Sequence, residues 1–170
     1  ETEPGRSLPG EIVGFRDDEA VILPLGEVGG LGPGCAVVLT GRPLTLRAGA
    51  GLIGRVLDAL GRPIDGRSLP PGLVDWPAER PAPGPMRRGR IGRALPTGLR
   101  AIDGLLTLAE GQRVGLLSGP GAGKSTLLGQ LARQAGADAV VVALVGERGR
   151  EVREFVEDVL GREGLARSVV

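Results

Sequence analysis

Residues 118–126 carry the densest chemistry in the chain. They read Ser118-Gly119-Pro120-Gly121-Ala122-Gly123-Lys124-Ser125-Thr126. Three alternating glycines precede one ammonium group and two hydroxyls. Small residues let successive backbone N–H groups turn inward around a phosphate, and a following helix adds its positive end. This is the Walker A pattern with Ser118 in place of its first glycine. Lys124 is the sole lysine, and the other basic residues are all arginine. A compact, freely rotating point charge is therefore kept where it fits between phosphates. The implied ligand is a nucleoside triphosphate with Mg²⁺. Gly119, Pro120, Gly121, Ala122, Gly123, Lys124, Ser125 and Thr126 would line it. Lys124 would reach the β- and γ-phosphates, and the Ser125 hydroxyl would ligate the metal.

Glu147 and Arg148 come next. A helix over Lys124–Ala135 carries the chain about 16 Å from the loop at ~1.5 Å per residue. The apolar run Ala139–Val145 returns it about 20 Å at ~3.3 Å per residue. Strands of such a sheet run parallel, so Glu147 emerges at the same carboxyl edge as the phosphate loop. A carboxylate there could orient and deprotonate an attacking water, and Arg148 could offset charge on the γ-phosphoryl group. Spacing alone equally allows a solvated loop charge.

The elements that hold these residues follow from apolar patterning. Residues 1–9 read as a disordered lead-in. Between residues 10 and 66, short apolar pieces broken by glycine turns suggest a small β-barrel: Glu11–Phe15, Ala20–Leu25, Ala36–Leu39, Leu44–Leu46 and Leu52–Leu57. Residues 67–90, rich in Pro, Gly and Arg, read as a linker. Residues 91–170 read as the first part of an α/β core. Thr97 is placed to cap a short helix over Gly98–Leu106. Gln112–Ser118 is a predicted strand entering the loop. Val152, Phe155, Val156, Val159 and Leu160 form one helical face. The predicted fold is a small N-terminal β-barrel followed by an incomplete RecA-like P-loop core with a parallel sheet.

Composition narrows the function further. Net charge is +1 over 170 residues, so bulk charge implies no nucleic-acid partner. The absence of histidine excludes His triads and His metal sites, and one cysteine, Cys35, excludes a disulfide framework. A cytosolic setting is the default expectation. The chain opens at Glu1 and ends in Ser168-Val169-Val170, which reads as the start of a buried strand. The expectation is a fragment.

Three stretches resemble the type III protein-export ATPases, flagellar or virulence-associated, which are akin to the catalytic subunit of rotary ATP synthases. They are Leu95–Leu106, the phosphate loop, and Gly146-Glu147-Arg148-Gly149-Arg150-Glu151-Val152-Arg153-Glu154-Phe155. Gly54–Gly66 and Pro24-Leu25-Gly26-Glu27 resemble earlier segments of the same family, in family order. The resemblance implies ATP hydrolysis, with Glu147 as general base, Arg148 by the phosphates and Glu151 holding Mg²⁺ through water. It also implies a homohexamer with ATP at subunit interfaces and the barrels in a ring. Stator, central stalk and chaperone–substrate complexes would be partners, at an export gate on the inner membrane where the cytoplasmic protein sits peripherally. No aspartate ends a later apolar strand as the family's Walker B residue should. The arginine finger and adenine pocket are likewise expected beyond Val170, so this chain alone is expected to hydrolyse ATP slowly or not at all. Rival readings are an ATP synthase catalytic subunit, an RNA-translocating terminator, and a non-catalytic assembly or regulatory module of the export ring. Arg87-Arg88-Gly89-Arg90 reads as a solvated linker, Trp76 as a packing anchor and Cys35 as a small core residue.

Overall fold

A computed structural model describes residues 7–119 and 121–170. Most of the predicted lead-in, and Pro120 of the loop, lie outside the described residues. The chain divides into two compact units, Glu1–Arg42 and Pro43–Val170.

In the first unit, strands β1 (Gly10–Arg16) and β2 (Glu19–Pro24) form an antiparallel hairpin. Asp17 takes the left-handed conformation its two-residue turn requires, φ 52°. The register shifts between Ile12 and Gly14, a bulge that increases local twist. The Leu25 amide donates to the Pro9 carbonyl at 2.8 Å and prolongs the pairing. Ala36–Leu39, expected as a strand, pairs with none of the described residues, and Val37, Val38 and Leu39 are exposed. An apolar run marks a potential strand but supplies no partner for it. Cys35 is exposed, against the expectation of a core position.

The second unit opens with β3 (Thr45–Ala48), antiparallel to β4 (Val74–Pro77). β4 falls inside the stretch whose composition reads as linker. Pro and Gly around it mask a strand that its partner β3 makes possible. Trp76 is half exposed on β4, with the Arg80 guanidinium 4.3 Å from its ring centroid.

The central sheet is parallel. β5 (Val140–Val141) pairs with β6 (Ser168–Val169). On the other side of β6, the Gly54 amide donates to Ser168, the Val170 amide to Arg55 and the Leu57 amide to Val170, at 2.7–3.0 Å. Residues 54–57, patterned like a barrel strand, thus lie along the core sheet. Arg55 is buried and anchors them. Its guanidinium binds both carboxylate oxygens of Asp65, at 2.6 and 2.9 Å, and the carbonyls of Arg67 and Ser68. Asp65 also accepts from the Val56 and Arg67 amides. These bonds, led by Arg55, hold the Asp65 carboxyl far below the usual carboxylate range.

Helix α1 (Arg100–Leu105) is capped differently from the sequence expectation. Leu99 occupies the cap position. Thr97 is fully buried, and its amide and hydroxyl both donate to Asp103 Oδ1, at 2.8 and 2.7 Å. Asp103 Oδ2 accepts the Gly98 amide at 2.9 Å, so the aspartate inside the helix reaches back to fasten the turn before it. Helix α2 (Lys124–Gln134) follows the phosphate loop. The last helical stretch is α3 (Gly149–Glu154), a π turn (Phe155–Leu160) and α4 (Gly161–Leu165). Phe155, Leu160 and Ala132 form the core of this unit, with Val140, Val142, Leu144, Val159 and Val170 packed around them. The apolar face read from the sequence is core packing. Gln112–Ser118 pairs with no strand among the described residues, and Leu117 is 95% exposed.

Candidate nucleotide site

Two left-handed glycines shape the loop, Gly121 at φ 75° and Gly123 at φ 88°. A side chain at either position would be strained. Gly123 caps α2, and its carbonyl accepts the Leu127 amide at 2.9 Å. Space for a Cβ is open at Gly119, Gly121 and Gly123, with no atom within 4 Å. These three glycines place no side chain on the loop, and the space beside them is open. Lys124, Ser125 and Thr126 open the helix and are exposed, as are Gly119 and Ala122. Lys124 has no ion pair within 4 Å among the described residues. A bare cradle, an uncommitted ammonium group and a hydroxyl at a helix N-terminus fit a polyphosphate and its Mg²⁺.

Glu147 sits just after the turn at Gly146, φ 74°, and Glu151 lies in the first turn of α3. Their carboxyl groups perturb each other's titration. The interaction with Glu151 raises the Glu147 pKa above the ordinary glutamate value, and the same interaction lowers that of Glu151. The Lys124 charge opposes the rise at Glu147, which puts the carboxyl pair within electrostatic reach of the loop. The folded chain thus brings together three positions that are separate in sequence. Arg148 is 73% exposed, and its guanidinium approaches Glu151 at 3.7 Å, a solvent-facing pair. Pro120 was named with the loop and lies outside the described residues.

Sequence reasoning misses the arginines that hold α2. Arg167 donates to the Arg133 and Ala135 carbonyls at 3.0 and 2.8 Å, and to that of Ala137. It places a positive charge at the negative end of the helix that starts with Lys124. Its targets are backbone carbonyls, which every residue has, so no side-chain pattern announces them.

This combination, a phosphate loop feeding a helix that packs beside a parallel sheet, defines a P-loop nucleotide-binding fold. Two family models match in order: residues 1–41 fit the β-barrel domain of the ATP synthase alpha/beta family, and residues 98–170 fit its nucleotide-binding domain. The chain belongs to the ATP synthase alpha/beta family. Within it, the chain is 49% identical over 166 residues to the flagellum-specific ATP synthase of Bacillus subtilis, covering 98% of this chain and 38% of that protein. It is 51% identical over 160 residues to a type 3 secretion system ATPase of Xanthomonas euvesicatoria, covering 94% and 36%. Among solved structures it matches the assembled ATPase EscN from the enteropathogenic E. coli type III secretion system, with a TM-score of 0.84 and 39% identity, over 98% of this chain and 40% of that one. EscN in complex with its central stalk EscO matches with a TM-score of 0.81 and 40% identity, over 94% and 40%. The chain therefore spans under half the length of these relatives. The fold expectation, an N-terminal barrel domain and a P-loop core with parallel strands, holds.

Proposed function

We propose that this chain supplies the phosphate-binding half of an ATPase that drives protein export through a type III system, flagellar or virulence-associated. What supports the reading most is the electrostatic coupling of Glu147 to both Glu151 and Lys124, together with the open glycine positions of the loop. The relatives' names and the EscN likeness support the export role.

In this reading the loop amides from Gly119 to Thr126 hold the phosphates, and Lys124 bridges the β- and γ-oxygens. Mg²⁺, when bound, would neutralise charge between those oxygens, with the Ser125 hydroxyl as ligand and Glu151 holding its water. Glu147, once ionised, accepts the proton of the water that attacks the γ-phosphorus in line with the leaving oxygen. Arg148 faces solvent in the free chain and would turn to the γ-phosphoryl oxygens. The working protein would be a homohexamer with stalk, stator and chaperone–substrate partners, peripheral to the inner membrane. No helix among the described residues is long and apolar enough to cross a membrane.

Nucleotide affinity tests the site directly. Titration of the chain with a fluorescent ATP analogue and Mg²⁺ should give saturable binding. Lys124→Ala should weaken it at least tenfold, whereas Glu147→Gln, which touches the water and not the phosphates, should leave it within about threefold. Equal affinity for the parent and Lys124→Ala would remove the loop from the proposal.

A further inference from the structure

Helix α2 carries a glycine in its middle, Gly129, at a position where glycine is the poorest helix former after proline. The reason lies across its contact with the π turn. A Cβ on Gly129 would lie 3.0 Å from the Val159 carbonyl oxygen, and closer still to Val159 Cγ1. One turn further along α2, Arg133 donates to that same Val159 carbonyl. Its stem lies against a second buried glycine, Gly164 of α4, where a Cβ would come within 2.9 Å of Arg133 Cγ. One half-buried arginine is thus seated between two glycines on facing elements.

The two elements joined here begin at the nucleotide site. Helix α2 starts with Lys124. The α3–π–α4 stretch starts just after Glu147 and Arg148 and holds Glu151 in its first turn. At ~1.5 Å per residue, the contact sits roughly 14 Å behind each starting turn. Helices are stiff over that length, and a π turn is a frequent companion of functional sites. A shift of the Val159 carbonyl along α2 would therefore reappear as a shift of Glu151 against Lys124.

We propose that Arg133 is a positioning residue. By clamping the π turn to the back of the phosphate-loop helix, it fixes the register of the glutamate-bearing helix against Lys124. The inference rests on reading Lys124, Glu147 and Glu151 as one nucleotide site.

Amide hydrogen exchange on the 170-residue chain tests it. Without nucleotide, Arg133→Met should speed exchange about tenfold at residues 152–154, remote from the guanidinium, and Arg133→Lys should restore most of the protection. Gly164→Ala crowds the stem while keeping the charge, and should give the same pattern more weakly if Arg133→Met fails to fold. Acceleration confined to residues 159–165 in either variant overturns the inference. A second arm adds Mg²⁺ and a non-hydrolysable ATP analogue. Protection should spread from residues 121–127 to 152–154 in the parent but not in Arg133→Met, and equal spread in both overturns the inference. No protection at 121–127 in the parent overturns the nucleotide reading instead, and the nucleotide-free comparison then decides the role of Arg133.

Discussion

Glu147 is the residue whose behaviour depends most on its neighbours. Its interaction with the Glu151 carboxyl raises its pKa, while the Lys124 charge pulls the other way. The base form therefore appears at a higher pH than for an ordinary glutamate, and the group is protonated below that point. Glu151→Gln removes the negative partner that retains the proton, so the Glu147 midpoint should fall towards the ordinary value. Lys124→Met removes the opposing charge, so the midpoint should rise. Carbon-13 NMR of the Glu147 side-chain carboxyl in the free chain measures both. Shifts of the opposite sign would mean that the three groups do not face one another. The phosphate loop was legible in the sequence because its whole geometry is local: nine consecutive residues set it. Helix and strand rises place Glu147 only through a strand over Ala139–Val145, whereas the paired strand covers Val140–Val141 alone. The coupling of Glu147 to Glu151 was not legible, because it depends on how the chain turns at Gly146 before the first turn of α3.

At the scale of elements, the segment from Gly54 to Ser68 is held by one buried ion pair. Arg55 and Asp65 are about as buried as the core side chains, at 7% and 10% side-chain exposure. Every carboxylate lone pair in reach is used, by the Arg55 and Arg67 guanidiniums and by two amides. Removing one partner of such a pair strands the other, at a typical cost of about 3 kcal/mol. Asp65→Ala should lower the stability of the chain by about that amount at neutral pH, measured by urea unfolding. The folded-state pKa of Asp65 is depressed, so its contribution is fully present above the unfolded value, near ~4, and is lost as pH falls below it. The gap between parent and variant should narrow on acidification from about pH 4 downward. A gap that stayed constant, or widened, would show that the carboxylate is not what stabilises the segment. The same segment marks where patterning stopped being informative. Leu52–Leu57 reads as a strand, but alternation cannot say which sheet receives it. The answer, β6, lies more than a hundred residues later. Val74–Pro77 failed for the opposite reason: its strand character is weak by itself and is supplied by pairing with β3.

For the whole molecule, the division between Arg42 and Pro43 has a functional consequence. The loop, Lys124, Ser125, Glu147 and Glu151 all belong to the second unit. So do both layers that support them: the parallel sheet of residues 54–57, β6 and β5, and the α2–π contact around Phe155 and Leu160. The first unit contributes its own hairpin, and its Phe15, Val37, Val38 and Leu39 remain exposed. Sequence patterning sets a linker over residues 67–90, whereas the compact units divide at residue 42; Pro- and Gly-rich turns punctuate both places. If the second unit contains everything that forms the cradle, a chain beginning at Pro43 should fold and keep the parent's affinity for Mg²⁺ and an ATP analogue within about threefold, equivalent to less than ~1 kcal/mol. It should also unfold with the same acid sensitivity, since Arg55, Asp65 and β6 travel with it. Calorimetric titration of the shortened chain beside the full 170 residues makes the comparison. A folded but non-binding product would mean that the hairpin unit shapes the phosphate site. That result would move the functional boundary away from the contact boundary.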